Sequence, residues 1–383
     1  MEPTPAAEPL TTPDPARPRV LLLFGGRSGE HAISCATAGG VLRAIDRERY
    51  DVLPVGITRT GRLVLVDDDP DTWSITAGHL PEVTDTGEQV LLPQSAGDRG
   101  LSVLRAGRAP EPLGEVDVVF PLLHGPFGED GTVQGLMDLV DLRYVGAGVL
   151  ASAVGMDKHF MKLVLAGAGL PIAPFVVLRP GEFEADPATC STRVGDLGLP
   201  VFVKPARAGS SLGISKVDDL ADLPAAVAVA QQHDPKVIVE AGVVGREVEC
   251  AVLGGRPGQP TRASQPGEIV VTDSRHEFYD FEAKYLDEAG VRLSCPADLP
   301  AEVLERVRAV AVRTFDAVGC EGLARVDVFI TPDDGVVVNE INTMPGFTPF
   351  SMYPRMWEAS GLAYPDLIDE LLRLALGRPT GLR

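Results

Sequence analysis

Several features are missing or scarce, and each absence excludes something. Hydrophobic residues make up 45% of the 383, yet no apolar run approaches the ~18 that a membrane span needs. Basic residues are outnumbered, 34 Lys and Arg against 54 Asp and Glu, and a formal charge of −20 argues against a nucleic-acid-binding surface. An acidic chain can still bind an anion locally, so lysines beside glycines matter more than the total. The five cysteines are an odd number without CxxC spacing, which suits free thiols in a reducing cytoplasm. Cys35, Cys250 and Cys320 sit in apolar runs and read as small core residues rather than nucleophiles. No secretory signal, internal repeat, GxGxxG fingerprint or Walker A sequence is visible.

What is present is organised around LARVDVFITPDDGVVVNEIN, Leu323 to Asn342. Two β-branched runs flank Pro332-Asp333-Asp334-Gly335, a hairpin signal. Side chains alternate along a strand, so Arg325 and Asp327 share a face, as do Glu340 and Asn342. A two-residue loop at Asp333-Asp334 sets Asp327 opposite Glu340 and Arg325 opposite Asn342. A loop at Asp334-Gly335 sets Asp327 opposite Asn342, on the same face. Either way two carboxylates, an amide oxygen and a guanidinium converge. Like charges across a ladder repel, so the patch asks for a cation, and hard oxygen ligands favour Mg²⁺ or Mn²⁺ over zinc. The plain alternative is a solvated polar face on an edge hairpin.

The length allows two or three domains. Residues 1–18 hold six prolines and no apolar period, and read as a disordered leader. Residues 19–148 read as a doubly wound α/β domain: a buried strand RVLLLF, the turn GGRSGEH, then a helix from about Ser34 to Ile45. That turn brings Glu30 to the carboxyl edge of the sheet, where ligands bind. Residues 58–114 read as an irregular elaboration with short strand signals at Leu63–Val66 and Leu101–Leu104. A second buried strand, DVVFPLL, ends in His124-Gly125. A lone histidine usually serves the core, but this one ends a strand at the same edge as Glu30.

Two further lobes follow, 149–240 and 241–383. Ala151 to Ala166 reads as one helix carrying Lys158. Lys204 opens KPARAGSSLGISK, where a lysine and a small hydroxyl-bearing loop with Ser210 and Ser211 can lay a cation and N–H groups on phosphates. A plain Gly/Ser turn is the alternative. The strand KVIVE and its connector to the strand bearing Glu247 can offer backbone edges to an adenine and a carboxylate to ribose hydroxyls. Residues 272–292, charged and aromatic without a period, read as a lid carrying Lys284-Tyr285.

These motifs together resemble the D-alanine–D-alanine ligases of the ATP-grasp superfamily. The resemblance covers everything after the leader. It rests on GGRSGEH, LHGPFGEDGTVQG, GMDK, VKPARAGSSLGISK, EFYDFEAKYL, ARVDVF and NEINTMPGFTPFS, seven motifs in the family's order. It implies an N-terminal doubly wound α/β domain followed by a two-lobed ATP-grasp fold. The implied reaction joins two D-alanines through an acylphosphate at the expense of ATP, for peptidoglycan.

By resemblance, Asp327, Glu340 and Asn342 hold the Mg²⁺ or Mn²⁺ ions, two of them, that bridge the ATP phosphates. Lys158 and Lys204 contact the phosphates with Ser210 and Ser211, and Lys284 closes over the γ-phosphate. Glu240 sits at the adenine end and Glu247 at the ribose. Glu30 anchors the first D-alanine's ammonium and is linked through Ser210 to Tyr285. Arg325 and the N–H of Gly346 donate to the developing oxyanion, Ser351 binds the second carboxylate, and His124 lines the first-substrate pocket. The family also implies a homodimer. Ala32, Ala206 and Ala208 depart from residues seen in some members without removing a group the mechanism needs. The rival readings are a D-Ala–D-lactate or D-Ala–D-serine ligase and a nucleotide-binding module that has lost catalysis.

Overall fold

The computed structural model describes residues 17–76, 80–256, 258–271 and 291–381. The leader up to residue 16 and residues 272–290, with Lys284 and Tyr285, lie outside the described residues.

Among the described residues, three sheets form. The first orders as β6-β5-β4-β3-β2-β1-β7, from β1 (Arg19–Gly25), β2 (Asp51–Ile57), β3 (Leu63–Leu65), β4 (Glu88–Leu91), β5 (Gly100–Arg105), β6 (Glu111–Glu115) and β7 (Val118–Leu122). The second is an antiparallel β10-β9-β11-β8, from β8 (Phe175–Leu178), β9 (Val201–Pro205), β10 (Ser215–Val217) and β11 (Val237–Ala241). The third runs β15-β14-β12-β16-β17, from β12 (Arg246–Leu253), β13 (Arg262–Ala263), β14 (Gly267–Val271), β15 (Val291–Ser294), β16 (Leu323–Ile330) and β17 (Val336–Asn342), with β13 paired on β12. Val291 and Arg292, expected in the lid, open β15.

Among the described residues, parallel strand ladders join β2, β1 and β7, and β1 is buried along its whole length because both faces are covered. Val20, Leu22 and Phe24 enter one core; Leu21 and Leu23 enter another. The first of these cores is shared with Met344, Phe347, Tyr353 and the helix Tyr364–Leu376, so the C-terminal segment packs on the N-terminal sheet. Phe347 is fully buried beside Phe120, and its carbonyl accepts a 2.7 Å hydrogen bond from the Tyr364 hydroxyl. The loop after β17 is thereby tied to the first domain.

Three expectations need correction. Residues 58–114 are not irregular: β3 to β6 continue the sheet as antiparallel strands. The helix after β1 starts at His31, three residues early, with Glu30 in the N-cap position. The helix expected over Ala151–Ala166 is two, Val149–Met156 and Lys158–Gly167. Asp157 divides them, its extended backbone ending the first helix and its carboxylate capping the second through His159 N and Phe160 N. The break sets Lys158 at the bend, where its N–H donates to Ala206 O.

The hairpin has its expected pairing, Asp327 opposite Glu340 and Arg325 opposite Asn342, but not the expected loop. Five residues, 331–335, connect Ile330 to Val336. That register alone would set Asp327 opposite Asn339. A bulge between Asp327/Glu340 and Val328/Val338 leaves Asn339 extra and turns Glu340 and Asn342 onto the Arg325–Asp327 face. The opposite face is apolar: Val326, Val328, Val336, Val338 and Ile341 pack with Val248, Val252 and the helix residues Val303, Val307 and Phe315.

Deleting Asn339 should leave a regular ladder, with Glu340 still opposite Asp327 and Ile341 still in the apolar layer, so the thermal midpoint should move by only a few degrees. A fall of roughly 10 °C or more, as a one-residue slip that buries a charge would cause, would contradict the bulge.

Candidate active site

The charged face of the hairpin opens into a cavity of about 890 Å³ between the three sheets, and Glu30, His124, Lys158, Lys204, Ser210, Ser211, Arg325, Glu340, Asn342, Gly346 and Ser351 all line it. Glu240, Glu247 and Asp327 are not on its wall; Asp327 lies directly beneath Arg325 and Asn342.

Arg325 is the hub. Its Nε and Nη2 donate to the two Asp327 oxygens, each at 2.7 Å, and its Nε lies 3.3 Å from Glu249. Asn342 Nδ2 donates to Asp327 at 3.0 Å. Glu249 reaches this face because it sits opposite Asp327 on β12. Burial works against the guanidinium's charge, but Asp327 and Glu249 outweigh it and raise its pKa well above the usual value. Lys158 Nζ lies 3.5 Å from Glu340 and donates to Ala208 O at 2.9 Å, linking the hairpin to the Gly/Ser loop. Three carboxylates, Asp327, Glu249 and Glu340, thus face two cations.

A second charged cluster lies behind Lys204. Glu240 is buried between Lys204 at 2.9 Å and Lys162 at 3.2 Å. Burial alone would raise the Glu240 pKa, and the two ammonium groups lower it instead. Lys162 is shifted the other way, down, chiefly by burial. The Lys204 pKa is raised, its burial outweighed by Glu240, with smaller help from Glu340 and Glu247. The Glu240 carboxylate, expected at the adenine end, is therefore committed to two lysines. Glu247 lies exposed on β12.

Glu30 accepts a short hydrogen bond from the Ser210 hydroxyl, bringing the N-terminal turn to the Gly/Ser loop. Ser210 and Ser211 both have positive φ, +51° and +56°, a conformation that non-glycine residues rarely adopt. The base of the loop is stapled where Arg207 N, Nε and Nη2 donate to buried Asp234 at 2.7–2.9 Å.

His124 uses both ring nitrogens. Nδ1 lies 3.1 Å from Met344 O, which can only accept, so Nδ1 carries the hydrogen and Nε2, 3.3 Å away, accepts from Thr37. Burial lowers the His124 pKa and favours this neutral ring. Ser351 Oγ lies 2.8 Å from Thr348 Oγ1 and accepts from Thr348 N at 3.1 Å.

Three residues of this constellation had no role assigned from sequence. Glu249 stands two residues after Glu247, so strand alternation could have found it. Lys162 stands four after Lys158, on the same helix face. Glu129 offered no periodic signal; its partners, Gly125 N and Met344 N, are contributed by two loops. Desolvation, and then the Glu30 carboxylate, push Glu129 up to about 8, while the two N–H donors and Arg325 pull it down.

Family models match most of the chain. A model described as D-ala D-ala ligase N-terminus matches residues 19–147, and one described as D-ala D-ala ligase C-terminus matches residues 164–373. The chain belongs to the D-alanine–D-alanine ligase family. It is 60% identical to a D-alanine–D-alanine ligase of Arthrobacter sp. over 97% of this chain and 98% of the relative. Against the Kineococcus radiotolerans ligase it is also 60% identical, over 96% and 99%. Among solved structures, the ligase from Coxiella burnetii superposes with a TM-score of 0.78 at 34% identity, covering 94% of each chain. The VanG D-Ala:D-Ser ligase from Enterococcus faecalis gives 0.79 at 34% identity, covering 94% and 99%. The three-sheet α/β architecture is accordingly that of the ATP-grasp ligases.

The cysteines take no part in the site. Burial pushes the Cys35 and Cys250 thiols up to about 12 and Cys295 to about 11. Of the five, Cys295 is partly exposed. Since a raised pKa removes thiolate at every pH below it, Ellman's reagent at pH 8 should titrate at most Cys295 in the native protein, and all five thiols in denaturant. Rapid reaction of a second native thiol would contradict this reading.

Proposed function

We infer that the cavity joins two D-alanines to D-alanyl-D-alanine for cell-wall synthesis, consuming ATP and releasing ADP and phosphate. The observation that carries the reading is the meeting of Arg325, Asp327, Glu340 and Asn342 on one face, across the cavity from the Glu30–Ser210 pair. An anionic donor and an ammonium-bearing acceptor can be held side by side there.

Glu30 takes the ammonium of the first D-alanine, and Ser210 holds the Glu30 carboxylate in place. The carboxylate of that substrate then faces the phosphates, which Lys158, Lys204 and the Ser210–Ser211 turn position. Attack on the γ-phosphate gives an acylphosphate. The amine of the second D-alanine, its carboxylate on Ser351, attacks the acyl carbon. Arg325 and the Gly346 N–H receive the oxyanion, and phosphate leaves. The protein's share is placement and charge stabilisation. Glu247 takes the ribose hydroxyls.

Glu340 and Asn342 line the cavity with hard oxygen atoms, and Asp327 lies beneath them in the Arg325 fork; where acidic charge exceeds basic, this donor set would fit Mg²⁺ or Mn²⁺. Such ions, two in this reading, supply charge that neutralises the transferring phosphoryl group. We read the chain as a cytoplasmic homodimer that binds neither nucleic acid nor membrane. No helix of the described residues is long and apolar enough to cross a membrane. Leu139 and Leu150, exposed on neighbouring helices, leave apolar surface that suits a second copy.

Phosphate release from ATP should require D-alanine. Offered D-alanine, D-serine and D-lactate together at neutral pH, the enzyme should yield mainly D-alanyl-D-alanine by mass spectrometry. Mainly depsipeptide or D-alanyl-D-serine would overturn the choice of second substrate while leaving the phosphoryl chemistry standing. Arg325→Lys keeps the charge but loses the fork, and should lower kcat about a hundredfold without unfolding the protein. Turnover near the parent rate would remove Arg325 from the mechanism.

A further inference from the structure

The peptide of Met344 is gripped at both polar atoms by one loop of the N-terminal domain. Its N–H donates to Glu129 Oε1 at 3.2 Å, and its carbonyl accepts from His124 Nδ1 at 3.1 Å. The other Glu129 oxygen accepts from Gly125 N at 2.6 Å, so the carboxylate closes its own loop while reaching across to Met344. Met344 lies between Asn342 and Gly346 in the segment that bears three of the groups used above. The apolar anchor at Phe347 fixes the segment's depth, but its rotation about that anchor is left to polar contacts. No other side-chain hydrogen bond to the Met344 peptide appears among the described residues.

We propose that Glu129 is a positioning residue: with His124 it clamps the Met344 peptide and so aims the Gly346 N–H at the reacting carbonyl. The proposal deepens the ligase reading and rests on it for its catalytic consequence. The clamp is also coupled to the first substrate. Glu30 and Glu129 are neighbouring carboxylates flanking the same glycine loop; a Cβ at Gly125 would lie 2.6 Å from Glu30 Oε2. An ammonium arriving at Glu30 relieves their repulsion and favours the ionised Glu129, whose oxygens accept from both N–H groups. Binding the first D-alanine thereby tightens the loop that serves the second.

The charged and titratable groups facing Glu129 are Glu30 from the turn before the first helix, His124 from its own loop and Arg325 from β16. Its raised value means that in the unliganded enzyme the clamp strengthens as pH rises through about 8. Below that, protonation turns one acceptor oxygen into a hydroxyl.

The test is Glu129→Gln, which keeps the shape and replaces one acceptor by an NH₂ group. Amide exchange followed by NMR in the unliganded protein should quicken tenfold or more at Met344 while core amides keep their rates, tenfold being on the order of one lost hydrogen bond. The kcat/KM for D-alanine should fall by about tenfold to a hundredfold, with KM for ATP unchanged. Its ascending pH limb near 8 should disappear. Unchanged Met344 exchange, or a variant that retains the limb, overturns the proposal. So does exchange that quickens everywhere, which marks a merely structural role. If Glu129→Gln does not fold, Glu129→Asp, too short to reach both donors, takes its place with the exchange and kcat/KM readouts alone, because its carboxylate still titrates. Loss of Met344 protection in Glu129→Gln, with a wild-type protein that protects Met344 but shows no D-alanine-dependent turnover, would refute the ligase reading and leave the clamp intact.

Discussion

The fork between Arg325 and Asp327 is the interaction on which the site depends. Without it the hairpin would set Asp327 against Glu340 and Glu249 on one face, and carboxylates held opposite one another repel. Arg325 answers two of them and Lys158 the third, so the face is nearly balanced before any substrate arrives. Truncating one partner of such a cluster would leave a desolvated charge alone, which is far more costly than the pair is worth. The same balance suits the reaction. Donors already aimed at the place where negative charge develops need little reorganisation as it forms.

The rest of the fold holds that face against its partners. The third sheet buries one side of the hairpin in apolar packing and leaves the other to chemistry. The second sheet brings Lys204 and the Gly/Ser turn, with the buried Lys162–Glu240–Lys204 cluster fixing the lysine from behind. The first sheet contributes Glu30 and the glycine loop after β7, and shares its core with the C-terminal helices. Three sheets from distant parts of the sequence therefore meet at one cavity. A D-alanine, a nucleotide and a second D-alanine can each be held by a different one.

Much of this was legible in the sequence because strand alternation is strict. Arg325 and Asp327 had to share a face whatever the loop, and the motif order pointed to the family and the fold class. The bulge at Asn339 was not legible. The expected pairing emerges from a five-residue loop and one extra residue, two departures that cancel in register. Within residues 58–114 the signals at Leu63–Val66 and Leu101–Leu104 marked β3 and β5, while β4 and β6, four and five residues long amid turn-rich sequence, stayed hidden. The division at Asp157 was hidden in a helical apolar pattern; it shows only through the acid's capping bonds and its ion pair with Lys236. Glu129 escaped notice for a different reason: its partner Met344 lies 215 residues away, and no local pattern carries that information. Glu249 shares a strand face with Glu247, so its place was legible, but its pairing with Arg325 was not. Lys284 and Tyr285, outside the described residues, keep only the roles that resemblance implies.

The central claim is that this charged face directs phosphoryl transfer from ATP to the carboxylate of a D-alanine before the peptide bond forms. D-Alanine labelled with heavy oxygen in its carboxylate tests it directly. If the account is right, each dipeptide formed leaves one labelled oxygen in the inorganic phosphate, detected by mass spectrometry or by the isotope shift in phosphorus NMR. Dipeptide accumulating alongside unlabelled phosphate would contradict it.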